Sequence, residues 1–211
     1  MEYTIEDDDE LQTSILREAA VAYGKSFFTE KEYLSFEEKH LNKFEYYQGQ
    51  IFAMAGAGAR HHIIFKNVFG ELAYKLKKKK CQPYGSDLRI HIPENTLFTY
   101  PDISIICGSI LPSVFDAETG THPTAIIEIL SNATRDYDKG MKFRLYRDIP
   151  GFKEYVLIDS ETVAAEVWRP APEGERWLCK KVNNLSGALF IKTVELSLRM
   201  EEIYEGTLLH D

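Results

Sequence analysis

The sequence predicts an α/β protein with a mixed central β-sheet flanked by helices. Three observations carry that prediction. An amphipathic helix over residues 60–79 precedes a series of strand candidates. Two of these, Ile103–Cys107 and Ala125–Leu130, are near-continuous apolar runs, as central strands buried on both faces should be. A further helix, at about 136–147, falls between two strands. Helix, strands, helix and more strands is the order expected of helices packed around a mixed sheet. The hydrophobic share of 44% and charged share of 27% over 211 residues exclude disorder as the main state. A chain of this length can bury enough surface to need no staples.

The elements follow in order. Residues 1–28 read as an acidic N-terminal extension with a short helix at 10–23, and residues 29–211 as one domain. Thr29-Glu30-Lys31-Glu32 is a capping box that starts a helix reaching about His40. Residues 43–47 and 50–54, joined by Gln48-Gly49, form a β-hairpin pattern, and Gly56-Ala57-Gly58 a loop. In the 60–79 helix Ile64, Val68, Leu72 and Leu76 recur at helical spacing, and a lysine-rich last turn complements the helix dipole. Strands are expected at 88–92, 103–107, 125–130, 155–158 and 163–168. A strand pair is expected within 177–195 and a last short helix at 194–204.

The formal net charge of −8 hides its distribution. Glu2, Glu6, Asp7, Asp8, Asp9 and Glu10 stand without a base, so the remaining 201 residues sum to −2. Between Arg60 and Ile92 eight Lys and Arg residues face only Glu71 and Asp87. Net acidity therefore excludes no nucleic-acid partner. Cys81, Cys107 and Cys179 are odd in number and far apart, a pattern that argues against a disulfide framework or a cysteine zinc site and for a reducing compartment. The longest run without a polar residue, 51–59, is too short for a membrane span, and the N-terminus is acidic where a signal peptide would be basic. The expectation is a cytoplasmic protein with no membrane partner.

The carboxylates that interrupt the apolar runs are the chemically informative residues. Asp102 opens one strand and Glu128 sits within another. A carboxylate in a buried strand is costly unless it is paired or binds a metal. Two on neighbouring strands make a hard oxygen site suited to Mg²⁺; the structural alternative pairs them with Arg or Lys across the sheet. On the next helix Lys139, Lys142 and Tyr146 share roughly one face. Asp138 and Lys142 are an i, i+4 pair, readable as a surface ion pair or as a lysine that stabilises a transferring phosphate.

Tyr100-Pro101-Asp102, then Glu128-Ile-Leu-Ser131, then Thr134-x-x-x-Asp138-x-x-x-Lys142-x-x-x-Tyr146, ending in Glu154-Tyr-Val-Leu-Ile-Asp159, resembles the restriction-endonuclease-like branch of the PD-(D/E)xK nuclease superfamily. The upstream Phe44-Glu45-Tyr-Tyr-Gln-Gly49 and His62 fit the same pattern, so the match spans about 29–168. The resemblance implies a restriction-endonuclease-like core, with Asp102 and Glu128 holding Mg²⁺ or Mn²⁺ and Glu45 orienting water. The superfamily lysine two residues after the second acid is missing, because Leu130 stands there. Lys142 matches the branch's relocated lysine, with Lys139 as its rival. The implied reaction is hydrolysis of DNA phosphodiesters, by a homodimer where both strands are cut. The alternative is a catalytically silent nucleic-acid-binding or assembly module on the same fold. Lys77, Lys78, Lys79 and Lys80 read as a solvated helix end or as contacts to backbone phosphates. Asp87 reads as a turn aspartate or a further acidic contact.

Overall fold

The computed structural model describes residues 27–54, 56–174 and 176–209. The acidic residues 1–26, with the helix expected at 10–23, lie outside the described residues. Helix α1 (Glu30–Glu37) starts on the expected capping box, with the Glu32 amide donating to the Thr29 hydroxyl and the Thr29 amide to the Glu32 carboxylate. Strands β1 (Phe44–Tyr47) and β2 (Gln50–Ala53) form the hairpin. Gln48 and Gly49 both have positive φ, 44° and 88°, the backbone of a two-residue turn that matches strand twist. Helix α2 (Ala59–Lys75) buries Ile64, Val68 and Leu72. It ends before the lysine run: Lys78 is left-handed, at φ 64°, and residues 77–80 turn into β3 (Cys81–Gly85). That strand carries no sequence signal because Pro83 interrupts it. It lies at the edge of its sheet, where a missing N–H is tolerated.

Next come β4 (Ile90–Ile92), β5 (Leu97–Thr99), β6 (Ile103–Cys107), β7 (Leu111–Pro112), β8 (Gly120–Thr121) and β9 (Ala125–Leu130). The helix expected at 136–147 is present in three parts: α3 (Arg135–Tyr137), a π-helical turn (Asp138–Lys142) and α4 (Phe143–Tyr146). The chain continues through β10 (Glu154–Asp159), β11 (Ala165–Pro170), β12 (Trp177–Val182), β13 (Ala188–Ile191), β14 (Leu196–Arg199) and α5 (Met200–Ile203). The expected strand pair within 177–195 is corrected. β12 pairs with β11, whereas β13 pairs with β14, which occupies part of the expected last helix. Glu195, left-handed at φ 53°, reverses the chain between β13 and β14.

The central sheet has the order β12-β11-β10-β9-β6-β3, parallel between β9 and β10 and antiparallel elsewhere. A second sheet, β2-β1-β5-β4-β8-β7, lies beside it. Alternation along β9 sends Ala125, Ile127 and Ile129 towards Ile64, Val68 and Leu72 of α2. Ile126 and Leu130 go the other way, to Leu145 and Tyr146 of α4. This is a restriction-endonuclease-like α/β architecture. No helix among the described residues is long and apolar enough to cross a membrane.

The cysteine expectation is also corrected. Cys81 and Cys107 face each other across β3 and β6 and form a disulfide, leaving Cys179 free. Their separation of 26 residues hides a contact that only the strand register creates. The cysteine pattern therefore no longer argues for a reducing compartment.

Candidate active site

Strand register brings the two carboxylates together. Ile103 is paired with Ile127, so one step further Asp102 comes level with Glu128. The Asp102 amide donates to Glu128 Oε2 at 3.0 Å, and the Ile129 amide donates to Asp102 Oδ2 at 2.7 Å. Glu128 shares the face of β9 that carries Ile126 and Leu130, and so points at the helical segment after the strand.

That segment supplies the cation. Lys142 Nζ lies 2.9 Å from Glu128 Oε1 and 3.6 Å from Asp138 Oδ1. All three side chains are buried, so Asp138 and Lys142 are not a surface pair. The π-helical turn, with its wider i→i+5 bonding, sets Asp138 and Lys142 nearly in line, and such turns recur at functional sites. One turn on, the Tyr146 hydroxyl donates to Glu128 Oε1 at 2.8 Å. The second sheet adds Glu45 from β1, whose Oε1 stands 3.2 Å from Lys142 Nζ. Glu45 also accepts from the hydroxyls of Thr99 and, at 3.1 Å, Tyr137. Ser131 and Thr134 join strand to helix, the Thr134 amide donating to Ser131 Oγ at 3.2 Å.

His61, which the sequence reading did not single out, also belongs to the cluster. Its Nε2 is 3.1 Å from Asp102 Oδ2, while its Nδ1 is buried with no partner. The signal for it was helical phase, because His61 precedes Ile64 and Val68 by three and seven residues. His62 is exposed, and its side chain makes no polar contact among the described residues. Tyr137 carries no sequence signal, since its partner Glu45 comes from the other sheet.

The other expected residues lie elsewhere. Lys139 pairs with Glu166 of β11 at 3.0 Å. Asp87 lies in an exposed turn before β4, bound to Lys43 at 2.6 Å, and that contact lowers its pKa. Lys77–Lys80 follow the C-terminal end of α2, whereas His61 lies at its start. Fourteen residues of helix from His61 to Lys75 span roughly 21 Å at about 1.5 Å each, so the lysine run is remote from the carboxylates.

Burial dominates the electrostatics. It pushes the Glu128 carboxyl up to about 8; Lys142 opposes the shift, and the neighbouring Asp102 and Asp138 add to it. Burial likewise takes Asp138 to about 6, again against the pull of Lys142. For Lys142 burial acts downward, but Glu128 and Glu45 outweigh it and hold the ammonium well above its usual range. Three carboxylates, from Glu45, Glu128 and Asp138, thus stand within 3.6 Å of one lysine ammonium, with Asp102 beside Glu128.

Among the described residues no three His, Cys, Asp or Glu side chains form a ready ligand set. Mg²⁺ does not require one, being commonly held through one or two carboxylates with water completing the octahedron. Adjacent hard oxygen donors from Asp102 and Glu128, with Asp138 and Glu45 close by, suit a divalent cation at Asp102 and Glu128.

Comparison with known proteins agrees with this architecture. Residues 30–200 match the model of the Uma2 family, described as putative restriction endonucleases, and the chain belongs to that family. The uncharacterized protein slr1290 of Synechocystis sp. is 33% identical over 83% of this chain and 90% of its own length. A second uncharacterized protein of that organism, sll1609, is 34% identical over 71% of this chain and 84% of its own. The crystal structure of a putative nuclease belonging to DUF820, from Anabaena variabilis, superposes with a TM-score of 0.67 at 19% identity. It covers 86% of this chain and 99% of that one.

Proposed function

We propose that the protein is a metal-dependent endonuclease that hydrolyses phosphodiester bonds of DNA. The observation that carries this reading is the meeting of Asp102 and Glu128, from adjacent strands, with Lys142 in one buried cluster. Family membership and the nuclease description of the Anabaena protein support it.

In this reading Asp102 and Glu128 hold Mg²⁺ or Mn²⁺, which when bound polarises a phosphoryl oxygen and makes water a competent nucleophile near neutral pH. The protein's own groups do the positioning. Tyr146 and the Asp102 amide fix the two oxygens of Glu128. The Ile129 amide and His61 fix Asp102. Glu45 steadies Lys142, whose ammonium orients the attacking water and meets negative charge building on the phosphate. Cutting both strands of a duplex calls for two such sites, so a homodimer is part of the proposal.

The test is incubation of plasmid, linear duplex and single-stranded DNA with Mg²⁺ or Mn²⁺, comparing wild type with Asp102→Ala and Glu128→Ala. Metal-dependent cleavage by wild type and its loss in both variants is the expected result. Cleavage that persists unchanged in both removes the assignment. DNA binding without cleavage by wild type identifies the silent binding module instead.

A further inference from the structure

A cleft of about 720 Å³ opens at the end of the central sheet where β9 and β10 begin, away from Glu128 and Lys142. Its walls carry Lys80, His122, Lys153, Arg169 and Lys192. One acid, Glu154, is among its lining residues, and it is buried and already satisfied. Glu154 Oε1 accepts from Arg169 Nε at 2.7 Å and from the Lys192 amide at 3.0 Å, and its Oε2 from the Thr193 amide at 2.8 Å. Arg169 and Glu154 therefore cancel each other. Lys80, Lys153 and Lys192 are exposed and have no ion-pair partner among the described residues. Three ammonium groups come from three separate parts of the chain: the turn before β3, the start of β10 and the segment after β13. The disulfide Cys81–Cys107 joins the strand ends that form part of the wall. Exposed lysines on a convex surface repel one another and are well solvated. Set around one concavity, they raise the local positive potential and favour an anion.

We propose that this cleft binds a compact phosphate anion of the pyrophosphate type. Its volume falls within the range of small-ligand pockets, about 300–1,000 Å³. A compact anion inside a concave site can reach ammonium groups on several walls at once, whereas the phosphates of an extended nucleic-acid strand would meet mainly the rim. Lys153 adjoins Glu154 in the chain, the Lys192 amide binds the Glu154 carboxylate, and Lys80 lines the cleft from the β3 side. The site stands apart from the carboxylate cluster, so the proposal does not depend on the nuclease reading.

The experiment is calorimetric titration of the full-length protein with inorganic pyrophosphate, without divalent metal, with inorganic phosphate as the comparison. Wild type and Asp102→Ala should bind pyrophosphate equally, and more tightly than phosphate. The double variant Lys153→Glu, Lys192→Glu should bind about tenfold more weakly or worse, as expected for losing charge-assisted hydrogen bonds. Both positions are exposed, and matching thermal unfolding of the variant confirms that it folds. No pyrophosphate binding by wild type, or equal binding by the double variant, overturns the proposal. So does a single-stranded oligonucleotide that binds through Lys153 and Lys192 when pyrophosphate does not, an outcome that would make the cleft a nucleic-acid contact.

Discussion

Lys142 meets Glu128 from above the sheet, with 2.9 Å between Nζ and Oε1, although the two residues belong to different elements. The strand position two residues after Glu128 is Leu130, on the same face, and its side chain is packed among Ile126, Leu145 and Tyr146. A lysine there would displace that packing. The ammonium instead arrives from the π-helical turn that crosses over β9, which explains how the cluster forms without the usual strand lysine.

Removing this ammonium leaves Glu45, Glu128 and Asp138 buried without it. Lys142→Met should therefore destabilise the fold by about 3–5 kcal/mol, the usual cost of breaking a buried pair from one side. At alkaline pH, where Glu128 ionises, adding Glu128→Gln should recover part of the loss, because an uncompensated charge disappears with it. Urea unfolding of both single variants and the double variant measures this coupling. A loss in the double variant equal to the sum of the two single losses would show that the pair is not coupled.

Asp102→Asn should separate stability from chemistry. The amide oxygen can still accept from Ile129, while the like charge beside Glu128 is gone. Thermal unfolding is expected at the wild-type temperature or above it, with DNA cleavage lost. A marked fall in melting temperature would mean that the charge of Asp102 is structurally required.

His91 gives a pH dependence of opposite sign to that of the buried acids. Burial first, then the nearby Arg89 guanidinium, lower the His91 imidazole to about 4. The unfolded chain takes up a proton near pH 6.5, where the folded one does not. The His91 contribution is thus full above pH 6.5 and is lost as pH falls towards 4, at up to about 1.4 kcal/mol per pH unit. Glu128 and Asp138, raised to about 8 and 6, gain protons more readily when folded and act the other way over an overlapping range. The His91→Gln variant isolates the histidine. The difference in unfolding free energy between wild type and variant should shrink steadily from pH 6.5 to 4, and a difference constant across that range would refute the assignment. Glu30 Oε1, 3.3 Å from His91 Nε2, is the acid placed to soften the effect.

Opening the disulfide should also be measurable. Its cysteines are 26 residues apart, and closing a loop of that length restricts the unfolded chain by about 3.5 kcal/mol in the chain-entropy account. Wild type unfolded with reductant, and Cys81→Ser with Cys107→Ser, should both show a loss of that order. Unchanged stability under both conditions would mean that the bond contributes no such restriction.

Much of this fold was legible where burial on both faces leaves a continuous apolar run. β9 was expected over the six residues it occupies, and Glu128 stood out because a carboxylate is costly there. The capping box fixed the start of α1 because both its hydrogen bonds are local. What escaped depends on long-range geometry. Pro83 disguises β3, whose tolerance comes from lying at a sheet edge. The Cys81–Cys107 bond needs the register of β3 on β6. His61 followed from the same phase that turns Ile64 and Val68 inward, whereas the family resemblance had drawn attention to its neighbour, His62. Tyr137 could not be found before Glu45 was known to approach from a second sheet. The broken helix around Asp138 answers a tertiary demand that no local propensity expresses.

The cluster takes its charges from β1, the segment before β6, β9 and the π-helical turn, so it draws on both sheets and the crossover between β9 and β10. Fragments such as 30–100 or 103–200 each lack at least two of Glu45, Asp102, Glu128 and Lys142. A chain cut between Glu45 and Lys142 and separated, or folded in only one of its sheets, therefore carries no assembled cluster. The gathered charges exist only where both sheets and the crossover have come together, so partly folded forms are spared the cost of burying them.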